Sequence, residues 1–116
     1  MNLGSHTRIT LAALGALVAL GGAGTANAQT PASQEGLALA RQKNCMSCHA
    51  ENRALLGPAM RDIGAKYASR PDAQSYLARK IVDGSSGVWG QVPMPANTQV
   101  SAPQAAALAA WILSLK

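Results

Sequence analysis

The N-terminal part of the chain carries an almost unbroken apolar run, over residues 9–20. Arg8 precedes the run, and small residues ending in Ala-Asn-Ala at 26–28 follow it. A positive start, a short apolar segment and an Ala-x-Ala site are typical of a secretory signal peptide. The run is shorter than the roughly 18–20 residues that a membrane-spanning helix needs, and no Arg-Arg pair precedes it. We therefore expect removal of residues 1–28, export to the periplasm by the general secretory route, and a mature domain over residues 29–116.

Beyond residue 28 the apolar positions recur every three or four residues, which is the period of an amphipathic α-helix. Short stretches rich in Gly, Pro and Ser separate these segments and interrupt helices. The pattern predicts four helices joined by loops, without an internal repeat.

The first two predicted helices differ in length. The first is capped by Thr30 or Ser33 and continues to Asn44, with Glu35 in its first turn, where the helix dipole favours a carboxylate. The second is short, covers about residues 60–69 and ends before an Arg-Pro pair, because the residue before proline disfavours helix.

The last two predicted helices have clearer start and stop residues. The third is capped by Asp72 and ended by Gly84. The fourth begins at Ser101, which forms a capping box with Gln104. The apolar faces of these two helices consist of Leu77 and Ile81 in the third and of Leu108, Trp111, Ile112 and Leu115 in the fourth.

Composition favours one small all-α domain that needs help to form a core. Ala is abundant and favours helices over strands, and the chain of 116 residues contains two Trp, two Tyr and no Phe. Small domains with little apolar surface to bury rely on a disulfide, a metal or a cofactor. The net charge of +5 comes from scattered basic residues without a Lys/Arg-rich run, so the chain does not resemble a nucleic-acid-binding protein.

The two cysteines and the one histidine beyond residue 28 stand together, in the run Cys45-Met46-Ser47-Cys48-His49. This Cys-x-x-Cys-His pattern is typical of c-type haem attachment. Two thiols three positions apart can reach the two vinyl groups on one porphyrin edge, and the next residue places an imidazole under the iron. A zinc site would need further Cys or His residues, and a thioredoxin-like redox pair would need alternating strands. We therefore expect one haem c, attached through Cys45 and Cys48, with His49 as an iron ligand.

The sixth coordination position of the iron needs a second ligand. His6 lies in the predicted signal peptide, so a methionine thioether is the alternative. Met46 lies inside the attachment motif and cannot reach the opposite face, and Met60, at the start of a predicted helix, is better explained by packing. Met94 stands between two prolines that keep its segment extended, so it can present its side chain across a haem face. We expect Met94 to be the ligand, with Met60 to be tested next.

Four segments together resemble one protein family. These are residues 45–49, Gly-Pro-Ala at 57–59, Ile-Val-Asp-Gly-Ser-Ser-Gly-Val-Trp-Gly at 81–90, and Val-Pro-Met-Pro-Ala-Asn at 92–97. In order and spacing they resemble the small class I bacterial cytochromes c, of the cytochrome c-551 type, over essentially all of residues 29–116. The resemblance implies an all-α fold of about four helices wrapped around a covalently bound haem.

The resemblance also implies that the first and last helices cross beside the haem. The residues at this crossing would be Leu37, Ala40 and Arg41 against Leu108, Trp111 and Ile112. Members of the family often carry an aromatic residue where this chain has Ala40. We expect Trp111 or a closer approach of the helices to fill the space.

Four residues receive roles around the haem from the resemblance. The Pro58 carbonyl would accept a hydrogen bond from the His49 imidazole and orient it. The Asn97 side chain would lie near the Met94 sulfur, and the Trp89 indole would donate to a haem propionate. Lys80, or its neighbour Arg79, would lie near the propionates.

With both axial positions filled, the implied function is electron transfer and not catalysis. The chain would be a monomeric, diffusible periplasmic carrier without a membrane anchor. Its donor would be a quinol-oxidising complex or another cytochrome, and its acceptor a nitrite reductase or a cytochrome oxidase. The family geometry implies that electrons leave through an exposed haem edge. The surface around this edge would be nearly uncharged and would consist of Met46, Ser47, Leu55, Leu56, Val92 and Pro93.

Two other classes of function are kept as alternatives. If Met94 does not bind iron, the domain would be a five-coordinate gas-binding or weakly peroxidatic haem protein. If no haem is attached, Cys45 and Cys48 would form the redox pair of a thiol oxidoreductase.

Overall fold

The computed structural model describes residues 31–115, so the predicted signal peptide over residues 1–28 and the predicted cap Thr30 lie outside the described residues. In this range lie four α-helices: α1 Pro31–Gln42, α2 Met60–Tyr67, α3 Ala73–Asp83 and α4 Ala102–Ser114. One 3-10 turn, Cys45–Ser47, follows α1. The predicted all-α fold is confirmed. Across residues 31–115, no helix combines the length and apolar character needed to cross a membrane.

Helix α1 corrects the predicted end of the first helix and excludes one of its two predicted caps, Ser33. It begins at Pro31, so Ser33 is a helical residue and not a cap, and Glu35 lies beyond the first turn. Proline is favoured at the first helical position because its φ angle already suits the helix and its missing N–H would have no partner there. At the other end the helix stops at Gln42, because Asn44 has a left-handed φ of 63° and cannot continue it.

Helices α2 and α3 follow the prediction with local differences. Helix α2 ends at Tyr67, two positions before the predicted end. Asp72 precedes α3 as predicted, but its side chain makes no capping hydrogen bond. Its carboxylate instead accepts from Arg70, with Oδ1 2.5 Å from Nε, and this hydrogen bond holds the pKa of Asp72 below its ordinary value. Gly84 ends α3, as predicted, with a φ of 79° that favours glycine.

Helix α4 is the centre of the fold and packs against α1, α2 and α3. Its predicted capping box is confirmed: the Ser101 hydroxyl accepts from the Gln104 N–H at 3.4 Å, and Gln104 Oε1 accepts from the Ser101 N–H at 3.1 Å. Three of the four residues predicted for its apolar face are buried, and Leu115, just past the end of the helix, is half-buried.

The crossing of α1 and α4 explains how the fold manages without an aromatic residue at Ala40. Ala40 is fully buried, so the two helices approach closely there. Gly36 lies so close to the Trp111 side chain that an added Cβ would overlap its ring. Arg41, which was predicted at the crossing, is exposed instead, and Gly36 takes its place because only a residue without a side chain fits under the indole. Trp111 therefore fills the space, as expected.

Candidate functional site

The Cys-x-x-Cys-His segment forms a compact turn directly after α1. The left-handed backbone of Asn44 redirects the chain, and its carbonyl accepts from the Ser47 hydroxyl at 2.8 Å. The N–H groups of Cys48 and His49 both donate to the Cys45 carbonyl, at 3.2 and 3.1 Å. Cys45 and Cys48 are half-buried free thiols. Burial raises the pKa of the Cys45 thiol above its ordinary value.

The His49 imidazole is held on two sides. His49 is 7% exposed, and its Nδ1 lies 2.7 Å from the Pro58 carbonyl oxygen, which is the contact that the resemblance implies for this pair. This hydrogen bond requires the proton on Nδ1 and leaves the Nε2 lone pair free for a metal. Gly57 packs against the ring, because a Cβ built on it would lie 2.5 Å from His49 Cε1. The Gly57 N–H donates to the Cys48 carbonyl at 2.8 Å and fixes this approach.

The Met94 segment is extended, as its prolines predict, and is tied to the end of α3. Met94 and Ser85 exchange two backbone hydrogen bonds: the Ser85 N–H donates to the Met94 carbonyl at 3.0 Å, and the Met94 N–H donates to the Ser85 carbonyl at 2.8 Å. Gly84 lies beneath this pair, where a Cβ would be 2.5 Å from the Met94 carbonyl oxygen. The backbone of Met94 is therefore fixed on both sides.

Asn97 anchors the chain that follows Met94. Its backbone N–H donates to the Val82 carbonyl at 3.1 Å, and its Nδ2 lies 2.9 Å from the Ile81 carbonyl and 3.3 Å from the Pro95 carbonyl. The amide hydrogens of this side chain are thus directed to backbone oxygens. Its position near the Met94 sulfur stays a prediction.

Aromatic and basic side chains line another part of the site. Trp89 is 41% exposed, and Lys66 Nζ lies 5.2 Å from the centroid of its ring, within the range of a cation–π contact. The rings of Tyr67 and Tyr76 are 5.2 Å apart, and Lys80 Nζ lies 5.4 Å from the Tyr76 ring. Tyr67 and Tyr76 line the cavity but have no sequence signal as site residues, since each sits on a helix where packing explains it equally well.

A single cavity of about 440 Å³ joins these parts. Its wall includes every site residue predicted from the sequence, together with the second methionine candidate Met60. The eight predicted residues on its wall are Cys45, Cys48, Pro58, His49, Lys80, Trp89, Met94 and Asn97.

The wall of the cavity fits haem c. The Cys45 and Cys48 thiols and the His49 imidazole line it from one short segment. The Met94 thioether lines the same cavity from a segment distant in sequence. Ile63, Leu77, Leu108 and Ile112 supply the apolar remainder. In residues 31–115, no cluster of three or more His, Cys, Asp and Glu side chains is arranged to hold a metal ion.

Comparison with known proteins agrees with this arrangement. The cytochrome c family model matches residues 33–116. The chain is 58% identical over 78 residues to cytochrome c-552 of Nitrosomonas europaea, a match that covers 67% of this chain and 76% of that protein. It is 43% identical over 101 residues to cytochrome c-551 of Pseudomonas aeruginosa, covering 87% of this chain and 96% of that protein.

A solved structure gives the same result for the fold. The crystal structure of wild-type Nitrosomonas europaea cytochrome c552 matches with a TM-score of 0.68 at 56% identity, covering 69% of this chain and 99% of that structure. The chain therefore belongs to the cytochrome c family, as a small all-α class I member that holds one haem c through Cys45 and Cys48.

Proposed function

We propose that the protein is a single-electron carrier whose haem iron is bound by His49 and Met94. The observation that carries this proposal is that both side chains stand on the wall of one cavity with Cys45 and Cys48. Each is also held by hydrogen bonds near it, His49 through the Pro58 carbonyl and Met94 through its backbone pair with Ser85.

When bound, haem c supplies one reversible electron transfer between its ferrous and ferric states. With His49 and Met94 both bound to the iron, no position would remain for a substrate or for oxygen, so no catalytic reaction is proposed. The Met94 thioether favours the ferrous state and raises the potential relative to a second imidazole. The apolar wall acts in the same direction, because burial disfavours the additional charge of ferric iron.

Three further residues are proposed to tune the site. Asn97 holds a polar amide near the Met94 sulfur, and its hydrogen bonds to two backbone carbonyls fix where that amide stands. Trp89 donates to a haem propionate, and its half-exposed place on the cavity wall supports this role. Lys80, on the same wall, offsets the propionate charge.

Electron exchange is proposed to occur at an apolar surface beside the cavity. Leu55, Leu56 and Val92 are 45%, 66% and 61% exposed, and Leu56 and Val92 both line the cavity. An apolar centre forms a short-lived contact, and the exposed basic residues Arg53 and Arg61 nearby steer an acidic partner toward it.

The setting is proposed to be the periplasm, after removal of residues 1–28, with the mature chain acting as a monomer. The donor is proposed to be a quinol-oxidising complex or another cytochrome. The acceptor is proposed to be a nitrite reductase or a cytochrome oxidase.

Met94→Ala tests the ligation, with Met60→Leu as the matched control. The holoprotein purified from the periplasm should show a far-red band from Met-to-iron charge transfer in its ferric form, and Met94→Ala should lose it. The ferrous variant should bind carbon monoxide readily and have a lower potential, while Met60→Leu should behave as the wild type.

A band that persists in Met94→Ala would assign the ligand to another residue, with Met60 the first candidate. A wild-type protein that lacks the band and binds carbon monoxide would indicate the five-coordinate alternative. A negative pyridine haemochrome assay would indicate a thiol oxidoreductase.

A further inference from the structure

Lys43 and Gln99 lie on the rim of the cavity and form two hydrogen bonds with each other, one donated by each side chain. Lys43 Nζ donates to the Gln99 carbonyl oxygen at 3.2 Å, and Gln99 Nε2 donates to the Lys43 carbonyl oxygen at 3.4 Å. The two residues are 56 positions apart in sequence, and both line the cavity. Because each gives one hydrogen bond and receives one, the pair fixes both the distance and the orientation of the two segments.

The pair continues into the segment that carries Met94. Gln99 Nε2 also lies 3.1 Å from Asn97 Oδ1, and Asn97 in turn donates to the Ile81 carbonyl at 2.9 Å. A chain of polar contacts thus runs from Lys43, just before Cys45, to the end of α3. It passes through the residues that follow Met94.

The position of this chain of contacts is distinctive. Among the described residues, the two hydrogen bonds between Lys43 and Gln99 are the only ones that join residues 43–58 to residues 94–101. Met94 itself is held by its two backbone hydrogen bonds with Ser85, two residues past the end of α3. Toward the turn that carries Cys45 and Cys48, the polar restraint comes from Gln99.

We infer that Gln99, through its reciprocal bonds with Lys43, is a positioning residue that keeps Met94 over the cavity. The Lys43–Gln99 pair acts as a strap between the cysteine turn and the Met94 segment, and it limits access of external ligands to the iron. This inference rests on the proposed ligation by Met94.

The test is the rate at which the ferric holoprotein binds cyanide, because cyanide must displace the Met94 thioether. Gln99→Ala removes the Nε2 hydrogen bonds to the Lys43 carbonyl oxygen and to Asn97 Oδ1, so it should raise the rate about tenfold. Lys43→Met keeps the aliphatic stem, removes the donor and should have a similar effect. Both acceptors are backbone carbonyl oxygens, so each single variant leaves the other hydrogen bond in place. The double variant removes both donors and should bind cyanide at least as fast as the faster single variant.

Two control variants separate the strap from general effects. Thr98→Ala changes the exposed residue next to Gln99. The Thr98 side chain makes no hydrogen bond in the described part of the chain, so the substitution removes none. Arg41→Met removes a positive charge two positions from Lys43 without affecting the pair. Both should bind cyanide at the wild-type rate. Thermal unfolding of each holoprotein shows whether the rates were measured on fully folded protein.

The outcomes distinguish this inference from the proposed function. If Met94→Ala binds cyanide rapidly while Gln99→Ala remains at the wild-type rate, the strap is wrong and the proposed ligation stands. If Met94→Ala itself binds at the wild-type rate, Met94 is not the ligand and both fail. Equal acceleration by Gln99→Ala and Thr98→Ala, or a double variant slower than the faster single variant, would also overturn the strap. Faster cyanide binding in Gln99→Ala and in Lys43→Met, with wild-type rates in both controls, supports it.

Discussion

Replacing Gly57 with Ala should disturb the His49 imidazole directly. The added Cβ would lie 2.5 Å from His49 Cε1, 2.9 Å from Nδ1 and 3.0 Å from Nε2. Carbon atoms in van der Waals contact are about 3.5–4.0 Å apart, so the ring must move by about 1 Å or the Gly57 backbone must move by the same amount. The backbone is restrained, since the Gly57 N–H donates to the Cys48 carbonyl at 2.8 Å and the Gly57 carbonyl accepts from Leu55 at 2.9 Å.

Such a shift of the ring would weaken its hydrogen bond to Pro58. The Nδ1 to oxygen distance of 2.7 Å would grow beyond about 3.2 Å, the upper limit of a good N–H···O bond. Overpacking of this kind costs about 1–3 kcal/mol of folding free energy. Losing the Pro58 contact also makes the imidazole a weaker donor, which destabilises the ferric state, so the potential should rise by about tens of millivolts, with 59 mV corresponding to a factor of ten.

The assay combines thermal unfolding of the holoprotein with a redox titration of Gly57→Ala. Gly87→Ala is the control for the substitution itself, because nothing lies within 4 Å of a Cβ added there. Gly36→Ala is the control for a clash away from the iron, since it meets Trp111 and should lower stability without moving the potential. A Gly57→Ala protein with both the wild-type melting temperature and the wild-type potential would refute the reasoning.

Three further predictions concern the cofactor, the partner surface and a buried tyrosine. Cys48→Ser should sharply lower the amount of mature periplasmic protein, because haem is a large part of the core; a folded, protease-resistant apoprotein would contradict this. In stopped-flow measurements, Val92→Glu should slow electron transfer to the partner at every ionic strength. Arg53→Glu should slow electron transfer mainly at low salt, because the Debye length is about 30 Å at 0.01 M and about 8 Å at 0.15 M. A wild-type rate for Val92→Glu at unchanged potential would show that electrons leave through another surface. Burial, with a hydrogen bond to Tyr76, raises the pKa of Tyr67 above 10.0, so its contribution to stability is complete below that pH and is lost as the pH rises through the folded value. The alkaline fall in melting temperature should therefore be shallower in Tyr67→Phe than in the wild type, and equal slopes would show that Tyr67 is not responsible.

The helices that sequence predicts well are those with local start and stop residues. The Ser101 and Gln104 pair and the glycine at 84 act within one helical turn, so their geometry can be inferred without the rest of the fold. Of the two caps predicted for the first helix, Ser33 is a helical residue and Thr30 lies outside the described residues. Both residue types are good caps, so local chemistry does not choose between them.

The residues around the cavity divide in the same way. His49 and Cys48 are recognised from a short motif, and the resemblance adds Pro58, whose carbonyl the structure places beside the imidazole. Gly36 escapes notice because its importance depends on Trp111, which is distant in sequence. Gln99 cannot be identified from sequence for a similar reason. It is an exposed glutamine that belongs to no motif or hydrophobic pattern, and its partner Lys43 is 56 positions away.

The reciprocal pair between Ser85 and Met94 closes residues 86–93 into a loop with a fixed base. The cost of lengthening a closed loop grows only slowly with its length. Insertions or exchanges between the two residues of the base should therefore leave the Met94 backbone where it is. Since this loop also carries the exposed Val88 and Val92, the surface can diversify between relatives, or be redesigned by loop grafting, separately from the coordination of the metal.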